Sequence, residues 1–313
     1  MAPKIWTIKE LLTVTSDYLK NKEIESPRLT AEILLAHQLK IPRIKLYLNF
    51  DQPLDDGEIS GYRSLIRRRV KREPFQHITG TQEFWSMNFK VGPQVLIPRP
   101  ESELLVEQVI SLYNNNELQG KEGVNVLDLG TGSGVLAITL ARLLEGANLW
   151  ASDISEEALE FARLNAKNHG MDERIQFCSG DLWEPFVGQG ITFDVIVSNP
   201  PYVASDVFHT LPPEVRDHEP RLALDGGEGG MFYIERIIRE GTEYMNPGGW
   251  LLIEMDPGQT RQAFSLMNET GQYGEKKRLK DYTHQYRVVV AQKITNGRTG
   301  ETGHRRSWET GRR

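Results

Sequence analysis

The first 78 residues space their apolar positions at helical intervals. Ile8, Leu11, Leu12, Val14, Tyr18 and Leu19 predict an amphipathic helix. A second helix is predicted from Ser26 as N-cap and Pro27 at the first helical position, with Leu29, Ile33, Leu34 and His37 on its inner side. A short third follows Pro42. A fourth begins near Asp55, where Glu58 completes a capping-box pattern, and runs through Ile59, Tyr62, Leu65 and Ile66 to Val70 before Pro74 stops it. Between Ile78 and Leu96 the period shortens to two, with Phe84, Trp85, Met87, Phe89 and Val91 punctuated by Gly80 and Gly92, which predicts a β-hairpin. A stiff segment, Ile97-Pro98-Arg99-Pro100-Glu101, then leads into a helix through Leu104, Leu105, Val109 and Ile110.

Beyond the asparagines at 114–116, short apolar runs alternate with helical patterns. Strands are predicted at 124–129, 148–154, 175–179, 193–198 and 250–255, and helices at 135–144, 155–169, 231–244 and 259–268. Two further strands, near 276–280 and 286–292, close the pattern. This order predicts an α/β fold, a doubly wound and mostly parallel seven-stranded sheet. The expected division is a helical bundle over 1–76, a hairpin linker over 77–97 and the sheet domain over 98–293. Residues 294–313, rich in Gly, Thr and Arg and without apolar pattern, read as a disordered tail.

Composition adds three constraints. With 313 residues, 39% hydrophobic and 26% charged, the chain can bury a sizeable core. One cysteine, Cys178, excludes a disulfide framework and a cysteine-based metal site; a reducing, cytoplasmic setting fits, and no apolar run approaches a membrane span. The net charge of −6 is uneven: +4 over residues 1–78, −13 over 79–293 and +3 over 294–313. So acidic a middle is a poor surface for nucleic acid, whose binding depends on neutralising phosphates. The run Arg67-Arg68-Arg69-Val70-Lys71-Arg72 reads either as a solvated helix face or as a docking surface.

The chemistry gathers where strands end. Asp128-Leu129-Gly130-Thr131-Gly132-Ser133-Gly134 lies between the first strand of the sheet domain and its helix, where glycines allow a tight turn and close approach of a ligand. Asp153 ends the next strand and can accept both hydroxyls of a ribose. The third glycine comes one residue early for the dinucleotide fingerprint G-x-G-x-x-G. The fourth strand delivers Asn199-Pro200-Pro201-Tyr202. An amide or exocyclic amine shares its lone pair with a π-system and is a weak nucleophile. The Asn199 carbonyl and a proline carbonyl can each accept one of its hydrogens, and Tyr202 can pack on its flat face. The seven histidines show no metal-ligand spacing.

The D-x-G-x-G-x-G loop is similar to motif I of S-adenosylmethionine-dependent methyltransferases. The resemblance implies S-adenosylmethionine held by Asp128, Gly130, Thr131, Gly132, Ser133 and Gly134, with Asp153 on the ribose, Asp181 and Leu182 flanking the adenine, Asn199 beside the methyl donor, and no metal. Asn199-Pro200-Pro201-Tyr202 matches the [N/D]PP[Y/F] motif of methyltransferases acting on planar nitrogens. Pro74-Phe75-Gln76-His77-Ile78-Thr79-Gly80 and Val95-Leu96-Ile97-Pro98-Arg99-Pro100-Glu101-Ser102-Glu103 narrow the family further. With Glu219-Pro220, Gly226-Gly227, Asp281-Tyr282 and Arg287-Val288-Val289, they resemble the PrmC/HemK family, the release factor protein-(glutamine-N5) methyltransferases.

That resemblance spans residues 5 to 292 or so. It implies methyl transfer to the glutamine of a Gly-Gly-Gln loop in class I peptide chain release factors, with S-adenosylhomocysteine as by-product. The small, basic, separately patterned bundle is expected to dock the factor, and the protein is expected to be a monomer without membrane attachment. Two departures stand out. Ser102 replaces the family's usual threonine, and Glu254-Met255-Asp256-Pro257-Gly258-Gln259 replaces a Glu-Ile-Gly start. Arg99 and Glu101 read either as an ion pair at a helix entry or as lining of the substrate cleft. The glycine-rich stretch 219–230 reads as a lid or a surface loop. Other readings of the same motifs are methylation of an exocyclic amine of nucleic acid (adenine N6 type), of a ribosomal-protein glutamine, or a non-catalytic interaction protein on this scaffold.

Overall fold

The structure, a computed structural model, describes residues 5–114, 118 and 123–295; the expected tail over 296–313 lies outside the described residues. Five helices come first: α1 (Ile8–Asn21), α2 (Pro27–Leu39), α3 (Arg43–Leu48), α4 (Asp56–Val70) and α5 (Phe75–Thr79), the last a single turn that the hairpin pattern concealed. α4 starts from the expected capping box, Asp55 and Glu58 each accepting the other's amide at 2.7 and 2.9 Å. Ser26 departs from expectation. It occupies the cap position at φ 46° and ψ 55°, and its hydroxyl makes no capping bond. A side-chain cap needs an extended backbone there, so Pro27 alone sets the start. Val14, Tyr18 and Leu29 also fall outside the buried stripe, at 51%, 46% and 39% exposure. Ile8, Leu11, Leu12, Thr15 and Leu19 form that stripe in α1 and join α2 and α4 in one core.

The basic run is in part the solvated helix face expected, with Arg67, Arg68 and Lys71 exposed, and in part an internal tie. Arg69 is buried and donates to Glu214 at 3.0 Å, Arg72 reaches the same carboxylate at 3.3 Å, and Arg68 pairs with Glu73. Glu214 sits in α9 (Pro213–Arg216), so two of the arginines fasten the bundle to the sheet domain. Arg67 and Lys71 are exposed and have no such tie among the described residues.

The hairpin is shorter than the alternation suggested: β1 (Thr81–Phe84) and β2 (Met87–Lys90) turn at Trp85 and Ser86, both at positive φ. Its Phe84, Met87 and Phe89 are buried in the core of the sheet domain. Then follow α6 (Glu103–Asn114), β3 (Asn125–Leu129), α7 (Val135–Leu143), β4 (Asn148–Asp153), α8 (Glu156–Asn168), β5 (Ile175–Ser179), β6 (Phe193–Ser198), α9, α10 (Phe232–Glu240), β7 (Met245–Glu254), α11 (Thr260–Thr270), β8 (Tyr273–Lys280) and β9 (Tyr286–Lys293). The helix expected over 231–244 gives way to a 3-10 turn after Glu240, and β7 begins ahead of the expected Trp250.

The seven strands lie in the order β5-β4-β3-β6-β7-β9-β8, parallel except for β9, which runs antiparallel to β7 and β8. Alternate strand residues serve opposite faces, as a pleat requires. Val126, Val195, Val197, Leu252, Val288 and Val290 pack towards one face, and Leu127, Leu129, Ile196, Leu251, Ile253 and Val289 towards the other. The chain winds outward from β3 through β4 to β5, then crosses back to β6 on β3's other side. That reversal opens a crevice at the carboxyl ends of β3 and β6, where α/β sheets bind ligands. Among the described residues, no helix is long and apolar enough to cross a membrane.

Candidate active site

A cavity of about 140 Å³ opens at this crevice, walled by the glycine turn after β3, the end of β4, the turn after β5, residues 199–201 after β6, and the 94–98 segment. The three glycines have different reasons to be there. Gly130 and Gly132 sit at φ 78° and 56°, and a Cβ on either would meet no protein atom within 4 Å. Gly134 sits at φ 85°, and a Cβ there would lie 2.9 Å from Ile138 Cδ1 and 3.1 Å from Ala162 Cα. The first two leave room for a ligand against bare backbone, and the third lets α7 and α8 approach each other.

Asp128 does not line the cavity. It is fully buried beneath the turn, its Oδ2 accepting the Thr131 hydroxyl at 2.6 Å and the Ala137 amide at 3.0 Å. It therefore ties the turn to the first residues of α7 and, unlike Gly130, Thr131, Gly132 and Ser133, has no surface to offer a cofactor. Burial pushes its carboxyl up to about 7, against those two hydrogen bonds, with the Asp153 charge adding to the rise. Asp153 lies in the cavity wall; Oδ2 accepts the Gly132 amide at 2.8 Å and Oδ1 the Ser155 amide at 3.0 Å. Its pKa is raised by burial, opposed by these backbone donors. Each oxygen keeps a second lone pair for a hydroxyl. Asp181 and Leu182 line the far end, Asp181 paired with Arg236 at 2.8 Å and Leu182 at a positive φ of 47°.

At the other end, Asn199, Pro200 and Pro201 line the cavity. The Asn199 amide nitrogen donates to Ser102 Oγ at 3.0 Å, while its Oδ1 is buried without a hydrogen-bond partner among the described residues. Ser102 in turn donates to Glu254 Oε2 at 2.7 Å. Glu254 is fully buried at the end of β7, and burial pushes its carboxyl up to about 7. The Ser102 bond and Arg287 oppose that rise.

Tyr202 lies elsewhere than expected. Its ring packs against the sheet core beside β7 and does not face the cavity. Burial raises its phenol pKa, and the Glu254 charge raises it further. Its carbonyl accepts Gln259 Nε2 at 2.8 Å, and the same nitrogen reaches the Gly229 carbonyl at 3.0 Å. The 219–230 stretch is stitched along 201–205: the Val203 amide donates to Leu224, Gly226 to Val203 and Ser205 to Gly227. A Cβ on Gly226 would come within 2.6 Å of the Pro201 carbonyl oxygen, so glycine here allows two backbones to touch.

Arg99 and Glu101 do not pair with one another in any bond the structure shows. Arg99 donates to Glu219 at 2.6 Å, and Glu219, almost wholly buried, also accepts the Ile97 amide at 3.0 Å. Neither Arg99 nor Glu101 lines this cavity; Arg99 borders a second one, about 320 Å³, between α2, α5 and α9.

Comparison with known proteins settles the family. The PrmC N-terminal domain profile matches residues 10–80, and the methyltransferase small domain profile matches residues 102–211. The release factor glutamine methyltransferase of Geobacter sulfurreducens is 42% identical over 86% of this chain and 91% of its own length. The chain belongs to the release factor glutamine methyltransferase family. The enzyme of that name from Rhodopirellula baltica is 38% identical over 92% of this chain and 97% of its own. A solved structure, the hMettl16 catalytic domain in complex with MAT2A 3'UTR hairpin 6, has a TM-score of 0.54 at 15% identity. It covers 74% of this chain and 83% of that one, and the likeness is of fold alone.

Sequence reasoning missed Ser102, Glu254 and Glu219 as parts of the site. Ser102 and Glu254 stand 97 and 152 residues from the partners they hold, and nothing local announces them. Ser102 is marked only as a departure from the family's usual threonine, and Glu254 keeps the family residue ahead of a departure at Met255 and Asp256.

Proposed function

We propose that this protein transfers a methyl group to the side-chain amide nitrogen of the glutamine in the Gly-Gly-Gln loop of class I peptide chain release factors. The observation carrying the reading is the Asn199 Oδ1, a buried acceptor without a partner in the cavity wall. A buried acceptor left open costs about 1–3 kcal/mol, which a substrate N–H recovers. The glycine turn with space over Gly130 and Gly132, and Asp153 beside it, fits a nucleoside cofactor. S-adenosylmethionine, when bound there, supplies an electrophilic methyl group on its sulfonium and leaves as S-adenosylhomocysteine.

The chain's own contribution is positioning. Asn199 Oδ1 and a proline carbonyl of 200–201 each accept one hydrogen of the glutamine amide, fixing its plane and aiming the nitrogen lone pair across the cavity. Holding a weak nucleophile in line is worth several kcal/mol of barrier. Tyr202 stiffens the turn from behind. The bundle, fastened through Arg69 and Arg72 to Glu214, docks the body of the factor in the cytoplasm while the cleft takes its loop. The enzyme works as a monomer and uses no metal. The test is labelled S-adenosylmethionine offered with purified release factors, ribosomal proteins, tRNA and DNA. Label on a release-factor glutamine supports the reading; label on nucleic acid or a ribosomal protein overturns it.

A further inference from the structure

An asparagine amide presents an acceptor at one end and two donors at the other, and only the acceptor end can hold a substrate N–H. Shape does not distinguish the two ends, so something must set their direction. Asn199, a residue of the cavity wall, touches Ser102 through one end, and its other end is buried without a partner among the described residues. A serine hydroxyl has one proton. If that proton goes to Glu254, Ser102 can only accept from Asn199, which forces the NH2 end onto Ser102 and the carbonyl into the cavity.

We infer that Ser102 and Glu254 are positioning residues for methyl transfer, an ionised Glu254 fixing the hydrogen-bond direction through Ser102 so that Asn199 presents an acceptor to the substrate amide. The inference rests on the functional reading above and extends it to two residues that touch Asn199 in series and need not touch the glutamine. Protonation reverses the chain. A Glu254 carboxylic acid can donate to Ser102, Ser102 then donates to Asn199 Oδ1, and an NH2 group faces the substrate where an acceptor is required. The separations shown, 3.0 Å from Asn199 Nδ2 to Ser102 Oγ and 2.7 Å from Ser102 Oγ to Glu254 Oε2, are hydrogen-bond lengths that suit a donor at either end.

Charged neighbours set which direction prevails. Glu254 is fully buried at the end of β7, with Oε1 unpartnered. Arg287 on β9 and Arg99 favour its ionised form; Glu101, on the segment that carries Ser102, opposes it. Arg287 is itself shared with Asp281 at 3.3 Å, and Tyr202 after β6 stays neutral. The carboxyl therefore sits near 7, and turnover falls as pH drops through that value. Burial pushes the Asp128 carboxyl into the same range, and the Ser102 and Glu254 variants, which leave Asp128 in place, separate its limb from that of Glu254.

The test compares wild type, Ser102→Ala, Ser102→Thr and Glu254→Gln in kcat against pH, with saturating S-adenosylmethionine and a purified class I release factor. Ser102→Ala is expected to lower kcat about a hundredfold and remove the acid limb near neutrality, with cofactor Kd within about threefold of wild type. Ser102→Thr restores both rate and limb, because it returns the hydroxyl. Glu254→Gln flattens the limb, since a neutral amide can turn either end to Ser102. An independent readout needs no turnover: the Asn199 side-chain NH2 resonance, assigned by its loss in Asn199→Ala, shifts with pH in wild type and not in Ser102→Ala. Wild-type kcat and an unchanged limb in Ser102→Ala, or an Asn199 resonance indifferent to pH, would overturn the inference. A wild type that leaves the release factor unmethylated would instead overturn the functional reading, and the resonance would still decide the direction of the network.

Discussion

The two ends of the cavity are built on opposite plans. At the cofactor turn every carboxylate is already engaged: Asp128 holds Thr131 and the start of α7, and Asp153 holds the amides of Gly132 and Ser155. The turn is braced by its own hydrogen bonds and leaves bare backbone over two glycines for a ligand. At the amide end one buried acceptor, Asn199 Oδ1, is left without a partner among the described residues, and two residues from distant parts of the chain, Ser102 and Glu254, are linked in series to the other end of that amide. A cofactor common to many substrates can be met by a preformed surface. A weak nucleophile needs a specific unsatisfied group, which has an energetic cost until substrate arrives.

The contrast breaks most sharply at Asn199. Asn199→Ala is expected to lower methyl transfer about a thousandfold, comparable to removing one preorganised polar group at a reacting centre. Cofactor affinity, by isothermal titration, should stay within a few fold. Parallel losses in both would mean that the two ends are one site.

The glycines come next. Gly134→Ala forces a Cβ against Ala162 and keeps a positive φ, and should destabilise the fold by about 2–4 kcal/mol in urea unfolding. Gly130→Ala has open space, so about 1 kcal/mol of backbone strain is expected. Its larger effect should be on cofactor binding, where the new methyl projects. Equal losses of stability in both variants would contradict the separate reasons assigned to them.

The third effect is one of slope. Asp128 and Glu254 have folded-state values raised to about 7 from 3.8 and 4.5, so the folded protein keeps protons that the unfolded chain has released. Their contribution to stability is complete below about 4 and is lost as pH rises towards 7. Asp128→Asn, which keeps an acceptor for Thr131 and Ala137, should flatten the decline between pH 4 and 7 in urea unfolding. An unaltered slope would show that Asp128 is ionised across that range.

Much of this was legible in the sequence, and the reasons differ by region. The strands of the parallel sheet are apolar on both faces, so 193–198 announces itself, and Asn199 follows with its position fixed by the strand's end. The glycine turn is legible because positive φ leaves few residues to choose from. Ser26 misled because sequence shows a capping residue but not its φ. Arg69 misled because a run of charges gives no sign that one member is buried against Glu214, 145 residues away. Tyr202 was placed on the substrate by motif logic, and the structure packs its half-buried ring against the sheet core. Ser102 and Glu254 were invisible for the same reason as Arg69. Their chemistry exists only once β6, β7 and the segment before α6 have been brought together.

The central claim is that a glutamine amide is the group held at Asn199. Peptide-resolved mass spectrometry of a class I release factor, incubated with S-adenosylmethionine and either wild type or Asn199→Ala, tests it directly. The expected result is one methyl group on the side-chain nitrogen of the Gly-Gly-Gln glutamine with wild type and almost none with the variant. A methyl group on any other residue, or equal methylation by the variant, would contradict it.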